Sequence, residues 1–491
     1  MEDSQLVELI QTLNPEERAL ARQLANVDYF NSGKFKAYCP ILLDVLLQIN
    51  DNPDKQVWDK EKISKKVFGK DTYVEGRLEK AMVEVHKIVK STLQIKHYFS
   101  DQNEFQQLFD LAKIALKRGL EKRYVQSINK LQKQIPSIEV SDRQNLYGHF
   151  LLEYELHDLD SLHNQLKGDL NVPNVLFSLE LYLWLTRLEL INRILLQQKV
   201  AKFEIPNIES VITDCQSIPQ KFLESAKLIE LNHAIFLLLI KKNIDSEDAQ
   251  SLFNLIKKHE DFIPSSNTRG LYTYLRNICV LIFNSDVQNK EINIILHVLY
   301  KDNLVKGYLH YGNMLHPATY LAVCNNAIWV NEVDWAIEFT ETYKNVIIDE
   351  DETKDFYRLN MAACYFAQNE FDKCLDSIPD SFSTVSHHLV TKRLNLKALY
   401  ETQSDLLPYR LDNFKMYLAR TSTKILSEHQ RQINTDFLNL LVQLSTSIPG
   451  DTKRADTLIR RIKEKKQAAE WRWLMEKAEE LKNPRLKNKP E

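Results

Sequence analysis

Phe356-Tyr357-Arg358-Leu359-Asn360-Met361-Ala362-Ala363-Cys364-Tyr365-Phe366, followed after Ala367-Gln368-Asn369-Glu370 by Phe371-Asp372-Lys373-Cys374-Leu375-Asp376-Ser377-Ile378-Pro379, decides the fold. In the first run Leu359, Ala362, Ala363 and Phe366 fall at i, i+3, i+4 and i+7, which is one face of an α-helix. In the second, Phe371, Cys374, Leu375 and Ile378 recur at helical spacing. Pro379 stops it, because proline lacks the N–H and its ring clashes with the preceding turn. Small Ala362 and Cys374 let two helices approach, and Tyr365 and Phe371 fill the groove between them. The stretch predicts an antiparallel helix pair.

Working outward, weaker copies flank it. Ala336, inside Asn331-Glu332-Val333-Asp334-Trp335-Ala336, stands 38 residues before Cys374. Tyr400 stands 35 residues after Tyr365, with Leu411 to Ala419 as the second helix of that copy. Such periods match tetratricopeptide-like helix-turn-helix repeats. One pair cannot hide both of its apolar faces, so neighbours must stack on it. The reading is all-α: an N-terminal helical domain, then an irregular αα-hairpin solenoid with a C-terminal capping helix. Its expected divisions are 1–100, 101–300, 301–450 and 451–491.

Composition agrees with helices. The 491 residues include 10 glycines, where average usage would give roughly 34. Phosphate-cradling loops and tight hairpin turns need glycine, which takes positive φ cheaply. A net charge of −3 excludes a global basic field that would draw the chain to nucleic acid or an anionic membrane. The longest apolar stretch, 175–196, is interrupted by Glu180, Arg187, Glu189 and Arg193, and reads as a buried or amphipathic helix rather than a span. The opening Met1-Glu2-Asp3-Ser4-Gln5 is acidic and carries no apolar core, so no export signal is expected. Six cysteines without CxxC spacing read as buried thiols in a reducing compartment, and the expected location is the cytoplasm.

In the first hundred residues, Asn14-Pro15-Glu16-Glu17 opens a helix with a cap residue before proline. A loop at Asn31-Ser32-Gly33 follows. A short basic helix over 59–68, a turn over 69–73 and a longer helix over 74–95 complete the unit, with Gly76 weakening the last near its start. From 101 to 300, prolines at 136, 173, 206, 219 and 264 separate helical segments. The tail from Gly450 holds thirteen Lys/Arg against eight Asp/Glu and an apolar stripe through Leu458, Ile462, Trp473 and Leu481, so it is expected to cap the last pair.

Several segments carry a resemblance: Leu315-His316-Pro317-Ala318-Thr319-Tyr320, Asn331 to Ala336, Leu359-Asn360-Met361-Ala362, Leu394 to Glu401, Ala468 to Lys477, Tyr29-Phe30-Asn31 and the Phe68-Gly69…Tyr73 turn. Together they resemble a family of cytosolic helical-repeat proteins of Bacteroidota. The resemblance spans most of the chain and implies fold and compartment, but no catalytic residue. The chain departs from the usual repeat at Asn369, where glycine is common, and at Asp405 and Pro408, which lengthen the third loop.

The sequence holds no GxSxG, GxxxxGK[ST] or GxGxxG. The thirteen histidines lack the i, i+3 or i+4 spacing of helical metal ligands, so no catalytic residue, metal or cofactor is assigned. The acidic run 349–352 reads as a solvated loop suited to a helix N-terminus. The expected function is therefore a non-enzymatic scaffold for a protein or peptide, with Tyr357, Asn360 and Lys397 as partner-binding candidates on inner helices. The weaker alternative is a regulator that contacts nucleic acid through Lys62, Lys65, Lys66 and Arg77. Neither reading fixes an oligomeric state.

Overall fold

The computed structural model describes residues 4–51, 58–69, 76–163, 168–200, 203–286, 289–348 and 352–483. Among them are 24 α-helices, two short 3-10 turns and one two-residue β-hairpin. The chain is all-α. It gathers into two compact units: 1–136 with 147–178, and 137–146 with 179–491. These divisions do not fall at the expected 100, 300 and 450.

The first unit begins with α1 (Gln5–Thr12), α2 (Pro15–Ala25), α3 (Cys39–Asn50), α4 (Lys60–Phe68) and α5 (Arg77–Tyr98). The predicted cap at Asn14 is present. Its side chain accepts from the Glu17 N–H and the Glu17 carboxylate accepts from the Asn14 N–H, which satisfies two donors that a helix start leaves open. Asp59 caps α4, its carboxylate accepting from the Glu61 and Lys62 N–H groups. Helices α1, α2 and α3 each pack on α5, burying Val7, Ile10, Leu42, Leu46, Leu78 and Val85. Gly76 precedes α5 at φ +78, so the helix starts just past it, as its weakening effect implied. The predicted turn over 69–73 lies, beyond Gly69, outside the described residues.

After α5, α6 (Glu104–Lys117) and α7 (Glu121–Gln134) form a close antiparallel pair. The division between units passes within α8 (Arg143–His163) and α9 (Val172–Val200). In the first unit's share of α8, Gly148 lies against Phe105 and Ile135, where a Cβ would fall within 3.3 Å of both side chains.

The second unit continues through α10 (Ile208–Gln216), α11 (Gln220–Ser225), α12 (Lys227–Ile240), α13 (Ser246–His259), α14 (Ser265–Ser285) and α15 (Lys290–Val305). The hairpin β1 (His310–Tyr311) and β2 (Met314–Leu315) follows, then α16 (Pro317–Trp329), α17 (Val333–Tyr343), α18 (Thr353–Ala367) and α19 (Phe371–Ser377). The last five helices are α20 (Val385–Glu401), α21 (Leu407–Arg420), α22 (Glu428–Ser445), α23 (Thr452–Glu464) and α24 (Trp471–Lys482). From α12 onward each helix packs on its sequence neighbour, and contacts to the next but one join α12 to α14, α13 to α15, α16 to α18, α18 to α20 and α22 to α24.

Two local devices repeat along this packing. Helices α6, α15, α16, α18 and α20 end with a residue at positive φ: Gly119, Gly307, Asn331, Asn369 and Gln403. In each case the following N–H donates back five residues to a carbonyl of the last turn; examples are Glu332 to Ala327, Glu370 to Tyr365 and Ser404 to Leu399. This is the Schellman closure, and asparagine tolerates its left-handed residue at modest cost. Asn369 thus does the work of the missing glycine. The second device is a buried asparagine amide donating to a backbone carbonyl of a neighbouring helix. Asn192 donates to Asn232 O at 2.8 Å, Asn326 to Asn293 O at 3.2 Å and Asn360 to Tyr320 O at 3.2 Å.

Helices α23 and α24 share one core with α20, α21 and α22, running from Leu389 through Phe414, Phe437 and Leu458 to Leu481. Residues 484–491 and the acidic positions 349–351 lie outside the described residues. The β-hairpin was not predicted, although Gly312-Asn313 between His310-Tyr311 and Met314-Leu315 is a two-residue turn signal.

Candidate functional site

Helix α20 carries three cationic side chains, Lys392, Arg393 and Lys397, and their fates differ. Arg393 and Lys397, four residues apart on one face, hold Glu470 at the start of α24 with contacts of 3.0 and 2.6 Å. Burial works to raise the Glu470 carboxyl, and the charges of Lys397 and Arg393 override it, bringing it down to about 2. Lys392, one residue and about 100° away around the helix, has no ion pair among the described residues.

Lys392 lies in a cleft of about 380 Å³ between α19, α20 and α21. The floor is apolar, with Leu375, Ile378, Leu396 and Phe414. Thr391 lines it but directs its hydroxyl to the His387 carbonyl. Asn395 from α20 and Asn413 from α21 present side-chain amides for which no hydrogen bond exists among the described residues. Arg410 stands on the exposed rim, and Asp380 is the one carboxylate among the lining residues. A second hollow, of about 430 Å³, shares Lys392 and Asn413 and continues to His388, Met416, Tyr417 and Arg420.

The helical register produces this arrangement. His388, Thr391, Lys392 and Asn395 fall at i, i+3, i+4 and i+7 on α20, and Arg410, Asn413, Tyr417 and Arg420 line up along α21. Burial and then the Arg410 charge pull the Lys392 ammonium below its usual value. His388 is also lowered, by burial and then by Lys392, so its ring is neutral at neutral pH. The His388 ring packs 4.8 Å from that of Tyr417, and its buried Nδ1 has no hydrogen-bond partner. The cleft therefore combines cations short of counter-charge, free amides and an apolar floor. That set suits binding an anion. Among the described residues no group of three or more His, Cys, Asp or Glu could hold a metal ion. None of their helices is long and apolar enough to cross a membrane.

Comparison with family models, curated proteins and solved structures gave no match to this chain.

The candidates read from the sequence sit elsewhere. Asn360 is 1% exposed and its amide is engaged with Tyr320, so it is an inter-helix tie and offers a partner nothing. Lys397 has a side chain 13% exposed, paired with Glu470 and 4.7 Å above the Phe366 ring. Tyr357 is half-buried and donates its hydroxyl to Glu341 at 2.6 Å. These three do not form one surface.

In the first unit, Lys62, Lys65 and Lys66 are exposed on α4, and Lys62 lies 4.0 Å from Asp59. Arg77 instead stacks 4.3 Å over Phe68 and reaches toward Tyr38, so three of the four proposed nucleic-acid contacts remain at the surface. The residues that sequence reading missed are Lys392, Asn395, Arg410, Asn413 and Arg420. Polar stripes at helical spacing on two successive helices were the available signal. A further groove of about 380 Å³ lies between α6 and α7, with exposed Leu111, Ile114 and Leu120 and a rim of Arg118, Arg123 and Lys130.

Proposed function

We propose that the protein is a non-enzymatic, cytoplasmic helical-repeat scaffold of tetratricopeptide-like αα pairs, which binds a protein or peptide partner at the cleft between α19, α20 and α21. The observation that carries this reading is the contrast on α20. Arg393 and Lys397 are neutralised within the fold, while Lys392 next to them is half-buried beside the Asn395 and Asn413 amides and has no ion pair among the described residues. The recurring Schellman closures and asparagine ties support a stacked-repeat reading of the second unit, in which rigid pairs hold such a cleft open.

The test is site-specific photo-crosslinking in native cytoplasm, with a photoreactive residue in place of Asn413 and, as a control, in place of Lys415 on the exposed side of α21. A reproducible adduct from position 413 that is absent from 415 supports the reading. Equal yields, or none from 413, overturn it.

A further inference from the structure

We infer that the cleft between α19, α20 and α21 recognises an extended acidic peptide segment about five residues long, with carboxylates on Lys392, Arg410 and Arg420. The inference rests on the scaffold reading and names its ligand.

Three observations point to that chemistry. The first is charge. Lys392, Arg410 and Arg420 have no ion pair among the described residues, and Asp380 is the one carboxylate lining the two hollows. The whole chain is close to neutral, with 64 Lys and Arg against 67 Asp and Glu, so this cationic excess is local and short. A nucleic acid would call for a longer basic track of phosphate contacts.

The second is length. Arg410 to Arg420 is ten residues of helix, about 15 Å, which an extended peptide covers in about five residues. The third is the pair of free amides. Asn395 and Asn413 each offer a donor and an acceptor, the set needed to pair with the N–H and C=O of an extended backbone. A free inorganic anion has no use for the acceptors. Beneath the amides lie the half-buried Leu375 and the buried Leu396 and Phe414, so the apolar contact open to a ligand side chain is small and centres on Leu375.

The test is fluorescence anisotropy of the full chain with a labelled eight-residue peptide of glutamate and aspartate around a central leucine. The comparison peptide has the same length, with glutamine and asparagine in place of the acids. Lys392→Met and Arg410→Gln each remove one cation from the cleft. Lys415→Gln removes one from the outer side of α21. Arg410 is on the exposed rim, so its variant tests the proposal even if Lys392→Met fails to fold.

The acidic peptide is expected to bind and the amide peptide not to. Each cleft variant should weaken binding about tenfold or more, the loss of one hydrogen bond between charged groups, and Lys415→Gln should leave it within about twofold. Competition by inorganic phosphate as strong as that by unlabelled acidic peptide would overturn the peptide assignment. Equal binding of the amide peptide, or equal weakening by Lys415→Gln, would overturn the proposal. If the acidic peptide fails while a partner still crosslinks at position 413, the ligand class is wrong and the scaffold reading stands. If both fail, both fall.

Discussion

Replacing Glu470 by glutamine should release α24 without touching the cleft. Glu470 sits at φ +55 at the head of α24 and accepts from Arg393 Nε at 3.0 Å and Lys397 Nζ at 2.6 Å. Its side chain is 23% exposed, and those of its partners are 15% and 13% exposed. Two routes give the magnitude. A carboxyl moved from 4.5 to about 2 is favoured in its charged form, relative to its neutral form, by about 3 kcal/mol at roughly 1.4 kcal/mol per pH unit. Breaking a buried ion pair from one side costs about 3–5 kcal/mol, and partial exposure places this pair at the lower end. Glutamine mimics the protonated acid, so Glu470→Gln should cost about 3 kcal/mol at neutral pH.

The pH dependence has a definite sign. A carboxyl whose folded value is depressed contributes stability that is fully present above its unfolded value and is lost as pH falls toward the folded one. The gap between wild type and variant should therefore be constant above about pH 5 and close between about 4.5 and 2. Native-state hydrogen exchange across 471–482 is the assay, because it reports local opening of α24 separately from global unfolding. The expected result is protection lower by about a hundredfold at neutral pH. Unchanged protection, or a gap that persists near pH 2, would refute the assignment of Glu470 as a tie between α20 and α24, beside the Glu401 contacts to Lys477 and Trp473.

Three further outcomes follow from the packing. Asn326→Ala, which removes the amide bonded to Asn293 O, should lower stability by about 1–3 kcal/mol, read as a shift in urea midpoint; no shift would remove the asparagine ties as a stabilising device. Gly33→Ala would place a Cβ 2.2 Å from the Glu84 Cδ and force the carboxylate off the Phe35 N–H, costing about 1–3 kcal/mol; a melting temperature equal to wild type would contradict that contact. All six cysteines are buried, burial and then Glu84 push the Cys39 thiol up to about 12, and the hydrogen bond with Cys364 and burial push Cys324 well up, so a disulfide reagent at mild alkaline pH should label none quickly in the native protein and all six in urea. Fast labelling of Cys324 or Cys364 would mean that α16 and α18 do not pack as described.

The helices were legible because their causes are local. Periodic apolar faces, the Asn14 cap and proline stops each act within a few residues, and they fell near the observed ends. The pair over 356–378 was readable for the same reason. What escaped depends on neighbours far along the chain. Lys392, Arg393 and Lys397 share one helix and look alike in sequence, yet two of them meet Glu470, which lies 73 and 77 residues away, and one does not. Asn360 looked like an exposed polar residue, and its burial follows from α16 lying against α18, which no local pattern specifies. The divisions near 100, 300 and 450 were placed by local helical pattern, the repeat and the basic tail, whereas the units follow contact between distant segments, including residues 147–178, which join the first unit.

Polar groups in the second unit therefore fall into two kinds that a pair of measurements can separate. Asn192, Asn326 and Asn360 give their amide N–H groups to other helices and Glu470 accepts from α20, so losing them should change stability and leave ligand binding alone. Among the described residues Lys392, Arg410, Asn395 and Asn413 have no ion pair or hydrogen bond that their loss would strand, though the Lys392 ammonium lies 5.9 Å from the centre of the Tyr417 ring. For Lys392 the sign even reverses. Its charge is half-buried and disfavoured by Arg410, so Lys392→Met should hold or raise stability while it weakens acidic-peptide binding. A residue kept at a cost to the fold is accounted for by a ligand that supplies the missing anion. Measuring both quantities on one set of variants puts that to the test: Lys392→Met destabilising the fold as much as Glu470→Gln would make Lys392 a structural tie and leave the cleft with no case for a partner.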